Sequence, residues 1–393
     1  MTSAPHSSSS ETSILRARSM ANTALKFRRW HRKLSVLLRP NALTMLGRRF
    51  AFSATQHLRN PKVAAGTGGI ILAYHRVADL ATDPQLLAVS PANFAEQLEI
   101  LRAHFNVISL REMTLRLFMG RSISGCVALT FDDGYADNLY GAKPLLEHHA
   151  VPATVFIATN HVGASTEFWW DELESLLLQP GTLPPSLTLA IGERRYSWEL
   201  GDDGHYTQRA FEQNANWNVT DTDSASIRHQ IYRSLHGQLG LLSTHQRNQA
   251  LVALRKWANK ESTARPTHRT VTDAEFAKLA TGDLVEIGAH TASHPVLSML
   301  TPKEQESEIR QSARRLTKML GKPIKSFAFP YGSLTDYGGE TVKLVKAMNF
   351  DCACSTFADV VRPGCDRFQL PRFMVRNWDG EEFTHRMRMW MQR

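Results

Sequence analysis

The stretch Val127-Ala128-Leu129-Thr130-Phe131-Asp132-Asp133-Gly134-Tyr135 decides how this chain is read. A short apolar run leads straight into two carboxylates and a glycine. The run has the composition of a buried strand. In a β/α barrel, chemistry is carried at the C-terminal ends of the strands, and here that end carries Asp132 and Asp133. Neighbouring carboxylates can divide labour, one holding a metal and the other acting as a base. Asp-Asp-Gly is also a plain turn sequence, so the pair by itself leaves both readings open.

Outward from this stretch the chain alternates between strand and helix patterns. Ile70 to Tyr74 reads as a buried strand, and Phe94, Leu98, Leu101 and Phe105 recur at helical spacing. Asn106 to Leu110 reads as a strand, Leu145 to Glu147 as part of a helix, and Ala153 to Ile157 as a strand. The rhythm resumes near Thr272 with a helix through Phe276 and Leu279, then the strand Leu284 to Ile287. Thr301-Pro302-Lys303-Glu304 has the form of an N-cap, a first-turn proline and a capping-box glutamate, with Gly321 as the natural stop. Ser326 to Phe329 and Phe350 to Cys354 are further strands. Such alternation argues for a parallel sheet or barrel.

Residues from about 165 to 270 break the rhythm and read as an insertion on a barrel loop. They hold Phe168-Trp169-Trp170, a hairpin of Leu187 to Ala190 against Tyr196 to Trp198, a polar stretch at 201 to 224, and a helical segment from Leu251 to Trp257. Trp169, Trp170 and Trp198 either stack on a sugar face or pack the insertion's own core.

Two further motifs follow predicted strands. His290-Thr291-Ala292-Ser293-His294 spaces two histidines i, i+4, which on one helical turn would converge on one ion; unrelated surface histidines are the alternative. With Asp133 they make a two-His, one-carboxylate set that suits Zn²⁺ in hydrolysis and also iron in oxygenases. In Phe329-Pro330-Tyr331-Gly332, Tyr331 can line a pocket and offer its backbone N–H to an oxyanion, or the motif is a simple turn.

In this order, each after a strand, the three motifs resemble the polysaccharide deacetylase (NodB-homology, carbohydrate esterase four) family. The resemblance covers roughly Ala65 to Arg376 and implies an α/β fold, a distorted (β/α) barrel of seven or eight strands with a large inserted segment. It implies Asp132 as general base, a divalent metal ion such as Zn²⁺ on Asp133, His290 and His294, and Pro330 and Tyr331 on the substrate side. Arg372, in Leu370-Pro371-Arg372, is grouped with the substrate-side residues and would steady Asp132. Two departures stand out. Ala328 and Phe329 lie where many members carry an arginine before the proline. No Leu-x-His motif supplies the usual C-terminal acid, and His385 fits poorly. Instead, Tyr74-His75-Arg76-Val77 resembles the Tyr-His motif of the circularly permuted branch that deacetylates poly-N-acetylglucosamine, which implies His75 as the acid.

The expected function is metal-dependent hydrolysis of the N-acetyl group of an amino sugar in a glycan or glycan precursor, with release of acetate. The alternatives are an O-deacetylase or non-sugar amidase using the same site, and a catalytically silent glycan-binding protein. Composition adds boundaries. The chain has 393 residues and a net charge of +9. Residues 1 to 62 hold twelve Lys or Arg against one acid, so the remainder carries 34 basic against 36 acidic side chains. The basicity belongs to an N-terminal extension, residues 1 to 64, that reads as disordered. Its Lys26-Phe27-Arg28-Arg29-Trp30 run, followed by Leu34 and Leu37, suits an anionic membrane surface. No nucleic-acid module accompanies the charge. No apolar run reaches the roughly 18 residues of a membrane span, and no signal peptide is recognisable, so the cytoplasm, peripheral at the membrane, is the expected location. Cys126, Cys352, Cys354 and Cys365 lack zinc-site spacing and read as free thiols.

Overall fold

The computed structural model describes residues 68–393, and the expectations for the N-terminal extension lie outside the described residues. Eight strands form one sheet: β1 (Ile70–Tyr74), β2 (Asn106–Val107), β3 (Cys126–Phe131), β4 (Ala153–Ile157), β5 (Val285–Ala289), β6 (Ser326–Ala328), β7 (Cys352–Cys354) and β8 (Phe373–Met374). Every pairing in it is parallel, in the order β7-β6-β5-β4-β3-β1-β8, with β2 also on β3. A parallel bridge between Cys354 and Leu370, just before β8, carries the sheet round toward closure. There Leu370 N–H donates to Ala353 O (2.8 Å) and Ser355 N–H to Leu370 O (2.9 Å). Strands β1, β3 and β4 are buried at every position, the reason their sequences are continuous apolar runs rather than alternating ones.

Around the sheet lie α1 (Pro91–His104), α2 (Leu110–Phe118), α3 (Lys143–His149), α4 (Trp169–Leu177), α5 (Gln208–Gln213), α6 (Ile227–Leu239), α7 (Thr244–Ala258), α8 (Asp273–Leu279), α9 (Pro302–Leu320), α10 (Gly339–Ala347) and α11 (Gly380–Met391). The start of α9 is as its sequence predicts: Thr301 and Glu304 form the capping box, Pro302 opens the helix, and Gly321 ends it at φ 67°. The stretch from Asn106 to Leu110 is corrected. Only Asn106 and Val107 are strand, because Ser109 Oγ accepts from Glu112 N–H and caps α2, which begins at Leu110.

The segment between β4 and β5 has its own core. Leu173, Leu176 and Leu177 of α4 pack with Ile231, Leu235 and Leu239 of α6 and with Leu251 and Leu254 of α7. The hairpin of Ser186–Ile191 and Arg194–Glu199 adds Leu187, Leu189 and Ile191 from its inner face. Arg228, buried on α6, staples the loops by donating to the carbonyls of Leu177, Gln179, Gly181, Asp203 and Gly204. The polar stretch at 201 to 224 is therefore partly ordered and includes α5. Cys126, Cys352, Cys354 and Cys365 are all free thiols. No helix of the described residues is long and apolar enough to cross a membrane.

Candidate active site and metal centre

The strand ends converge on one cleft. His75 follows β1, Asp132 and Asp133 follow β3, His290 follows β5, Tyr331 and Thr356 lie beyond β6 and β7, and Met374 ends β8. With His294, Gln85, Leu87, Trp170 and His236 they line a cavity of ≈ 230 Å³. The arrangement follows from parallel strands, which deliver their C-terminal ends to one face.

The loops bend sharply to bring these side chains inward. Asp133, Thr291, His294 and Tyr331 all have positive φ, between 56° and 75°. Asp and His tolerate this region, whereas a β-branched Thr is held there against its preference. Gly134 is required after Asp133: its φ is 81°, and a Cβ would sit 2.7 Å from Ile157 Cδ1. The expected helical turn over His290 to His294 is absent. The histidines lie in an irregular, bent loop, because Thr291 and His294 adopt left-handed backbone conformations. Thr291 Oγ1 accepts from His294 N–H (3.0 Å), and Glu308 of α9 accepts from the N–H groups of Ala292 (2.9 Å) and Ser293 (2.8 Å) and from Ser293 Oγ (2.7 Å). Nothing in the spacing of Glu308 marked it for this task.

Asp133, His290 and His294 can each offer one ligand atom, all within 4.8 Å of one another. Asp133 Oδ1 lies 3.6 Å from His290 Nε2 and 3.4 Å from His294 Nε2. His290 Nδ1 donates to Ala328 O (2.8 Å), which leaves the Nε2 lone pair pointing at Asp133. Burial lowers both imidazoles below their usual range, so they are neutral, as ligands must be. Asp133 is 2% exposed and its Oδ1 has no hydrogen-bond partner among the described residues. Burial, then the neighbouring Asp132 charge, push its carboxyl well up. An unpaired buried carboxylate facing two neutral imidazoles is a donor set that fits a divalent cation.

Asp132 has the opposite environment. Burial opposes its ionisation, but Arg372 outweighs this with two hydrogen bonds, 2.8 Å to Oδ1 and 2.7 Å to Oδ2, and the carboxyl is lowered to about 2. Arg372 also donates to Thr130 Oγ1 (3.0 Å) and Ser355 O (2.7 Å) and is 0% exposed. Its grouping with substrate-side residues is corrected: the guanidinium is consumed by protein acceptors beneath Asp132 and positions that carboxylate. Pro330 is likewise buried and does not line the cleft. Tyr331 does, and among the described residues its backbone N–H donates to no protein acceptor. His75 is placed through its backbone, whose carbonyl accepts from Asn138 Nδ2 (2.8 Å). Burial lowers its imidazole to about 4, against the pull of Asp132. His385 is exposed on α11 and takes no part in the cleft.

The insertion is fastened to the same site. Trp170 Nε1 donates to Tyr135 Oη (2.8 Å), and that hydroxyl donates to Asp171 (2.6 Å). Trp169 Nε1 donates to Tyr331 Oη (3.2 Å). Trp169 and Trp198 pack within the insertion, whereas Trp170 both packs there and lines the cleft. His236, Gln85, Leu87, Thr356 and Met374 were not singled out from sequence; only the fold brings them together.

With this geometry in view, comparison with known proteins points to one family. The polysaccharide deacetylase family model matches residues 120–182 and 238–353, which include Asp132, Asp133, His290, His294 and Tyr331. Over these residues the barrel resembles the polysaccharide deacetylase family. The match lapses over 183 to 237, inside the insertion. "Putative polysaccharide deacetylase YxkH" of Bacillus subtilis (strain 168) is 30% identical over 95 residues, 24% of this chain and 33% of that protein, so the chain spans about a third of the curated relative it matches. IcaB from Ammonifex degensii shares the fold, with TM-score 0.51 and 17% identity over 84% of this chain and 99% of that one. The Streptococcus pyogenes deacetylase PplD, solved with acetate, superposes with TM-score 0.49 and 15% identity over 81% of this chain and 97% of that one.

Proposed function

We propose that this protein hydrolyses the N-acetyl group of an amino sugar in a glycan or glycan precursor, releasing acetate and a free amine. The observation that carries the reading is the unpaired, buried Asp133 carboxylate beside the Nε2 atoms of His290 and His294, with Asp132 and His75 lining the same cleft. Asp133, His290 and His294 would hold a divalent ion, and three ligands leave positions open for water and substrate; Zn²⁺ suits this set. Such an ion, when bound, polarises an acyl carbonyl and lowers the pKa of water toward ~7.

The chain's own groups supply the rest. Asp132 takes the proton from the attacking water. Arg372 keeps it ionised throughout the neutral range, at some cost in basicity. The Tyr331 N–H, which has no protein acceptor among the described residues, donates to the carbonyl oxygen as negative charge develops on it. His75 protonates the departing nitrogen, because an amine leaves poorly as an anion. At about 4, its imidazolium is scarce at neutral pH in the substrate-free chain but a strong donor.

The test is acetate release from N-acetylglucosamine oligomers, lipid-linked amino sugars and O-acetylated sugars, before and after chelation and reloading with Zn²⁺. Release from the N-acetylated substrates that stops on chelation and returns with metal is expected. Full turnover after exhaustive chelation, or release from O-acetyl groups alone, refutes the proposal.

A further inference from the structure

The barrel provides the reacting groups of the cleft, and the insertion adds Trp170 and His236 to its outer wall. On that wall His236 projects from α6 into the cavity. Its ring is held by two aromatic faces. Trp169 stacks on it at 5.0 Å between centroids and 28° between planes, and Tyr232 at 6.0 Å and 22°. These contacts fix the ring plane and leave its edge free. Among the described residues neither ring nitrogen has a hydrogen-bond partner. Tyr232 is itself held, because Gln85 Nε2 donates to its hydroxyl (2.7 Å), and Gln85 also lines the cleft. Trp169 is tied to Tyr331 on the far side. A polar ring oriented this firmly, with its nitrogens unspent and the residue lining a cleft, is preorganised for a ligand.

The character of the wall indicates the kind of ligand. Gln85, Leu87, Trp170, His236, Thr356 and Met374 form the lining away from the Asp and His motifs, and none is a Lys, Arg, Asp or Glu. Burial lowers His236 to about 4, so it is neutral at physiological pH and offers one donor and one acceptor. That pairing matches a sugar hydroxyl or an acetamido group better than a carboxylate or phosphate, which would call for a cation.

We propose that His236 is a specificity-determining residue that hydrogen-bonds the uncharged N-acetylated sugar in the cleft. The inference rests on the deacetylase reading above for the identity of the sugar. The experiment uses the full chain and an N-acetylglucosamine oligomer. Three variants are compared with wild type: His236→Phe keeps a stacking ring without polar atoms, His236→Gln restores a donor and an acceptor, and His236→Ala removes both. Two readouts are taken, KM and kcat for acetate release from metal-loaded protein, and oligomer binding to chelated protein by calorimetry. For His236→Phe, KM and Kd should rise about tenfold, the worth of one or two neutral hydrogen bonds, while kcat changes little. His236→Gln should recover most of that loss, and Tm should hold in both. Unchanged KM and Kd in His236→Phe overturns the proposal. Equal losses in Phe and Gln variants together with a lower Tm also overturn it, because the residue then only packs. Wild-type binding without acetate release on metal loading refutes the hydrolytic reading alone, and His236 is then judged on binding. If wild type binds no oligomer, the proposal falls with it.

Discussion

Replacing Arg372 by Met tests whether a buried ion pair sets the protonation state of Asp132. Two hydrogen bonds of 2.7 and 2.8 Å join groups that are 0% and 3% exposed, so solvent screens the pair little. Asp132 is lowered from an ordinary 3.8 to about 2, despite burial that works the other way. A shift of nearly two pH units corresponds to about 2 kcal/mol of stability. The folded value lies below the unfolded one. That stability is therefore present above pH 4 and is lost as pH falls from about 4 through about 2. In Arg372→Met the carboxylate is left buried and uncompensated, which costs about 3–5 kcal/mol at neutral pH. Burial, now opposed only by weaker neighbours, should lift Asp132 by several units, so the acidic limb of kcat/KM moves upward. Urea denaturation at pH 7, pH–rate profiles and a double-mutant cycle with Asp132→Asn measure these effects. The double variant should recover part of the loss, because neither unpaired charge remains. A loss below about 1 kcal/mol in Arg372→Met, with an unmoved acidic limb and additive double-mutant energies, would refute the reasoning.

Three further outcomes are expected. Glu308→Ala should lower metal affinity about 10–100-fold, because the Ala292 and Ser293 N–H groups lose the acceptor that shapes the His294 loop; unchanged affinity by competition with a chromophoric chelator would contradict this. His75→Ala should keep bound metal and Tm but lose amide hydrolysis while sparing an aryl acetate, whose leaving group needs little protonation; near wild-type amide turnover would move the acid elsewhere. Deleting residues 1 to 62, with twelve basic side chains, should weaken binding to anionic vesicles in a salt-sensitive way, and unchanged sedimentation with vesicles would remove that role from the segment.

The strand ends were legible because strands buried on both faces are short uninterrupted apolar runs, and the residues just after them are polar for a reason. Asp132, Asp133, His290 and Tyr331 were found on that logic, and the structure brings them to one cleft. What failed was local geometry. The i, i+4 spacing of His290 and His294 matches a helix, yet Thr291 and His294 take left-handed conformations that no spacing rule foresees. Their loop is shaped from outside by Glu308, a residue on a helix that also carries Glu304 and Glu306, which look alike in sequence. The strand Asn106 to Leu110 failed for a different reason: a serine cap competed with a β-prone run and won.

His236 and Gln85 were illegible in a deeper sense. Neither belongs to a motif, and they are 151 residues apart, joined only through Tyr232. Their meaning depends on how a second core is seated on the first. That seating is physically specific. Tyr135, two residues beyond Asp133, receives the Trp170 indole N–H and passes its own hydroxyl proton toward Asp171, so the metal-side motif and helix α4 share one buried polar chain. Trp169 reaches Tyr331 in the same way from the preceding position of that helix. Loosening either link should therefore shift the outer wall without removing a reacting group. Substrate preference and chemistry are then separable by position: changes in the insertion should act mainly on KM, and changes at the strand ends mainly on kcat.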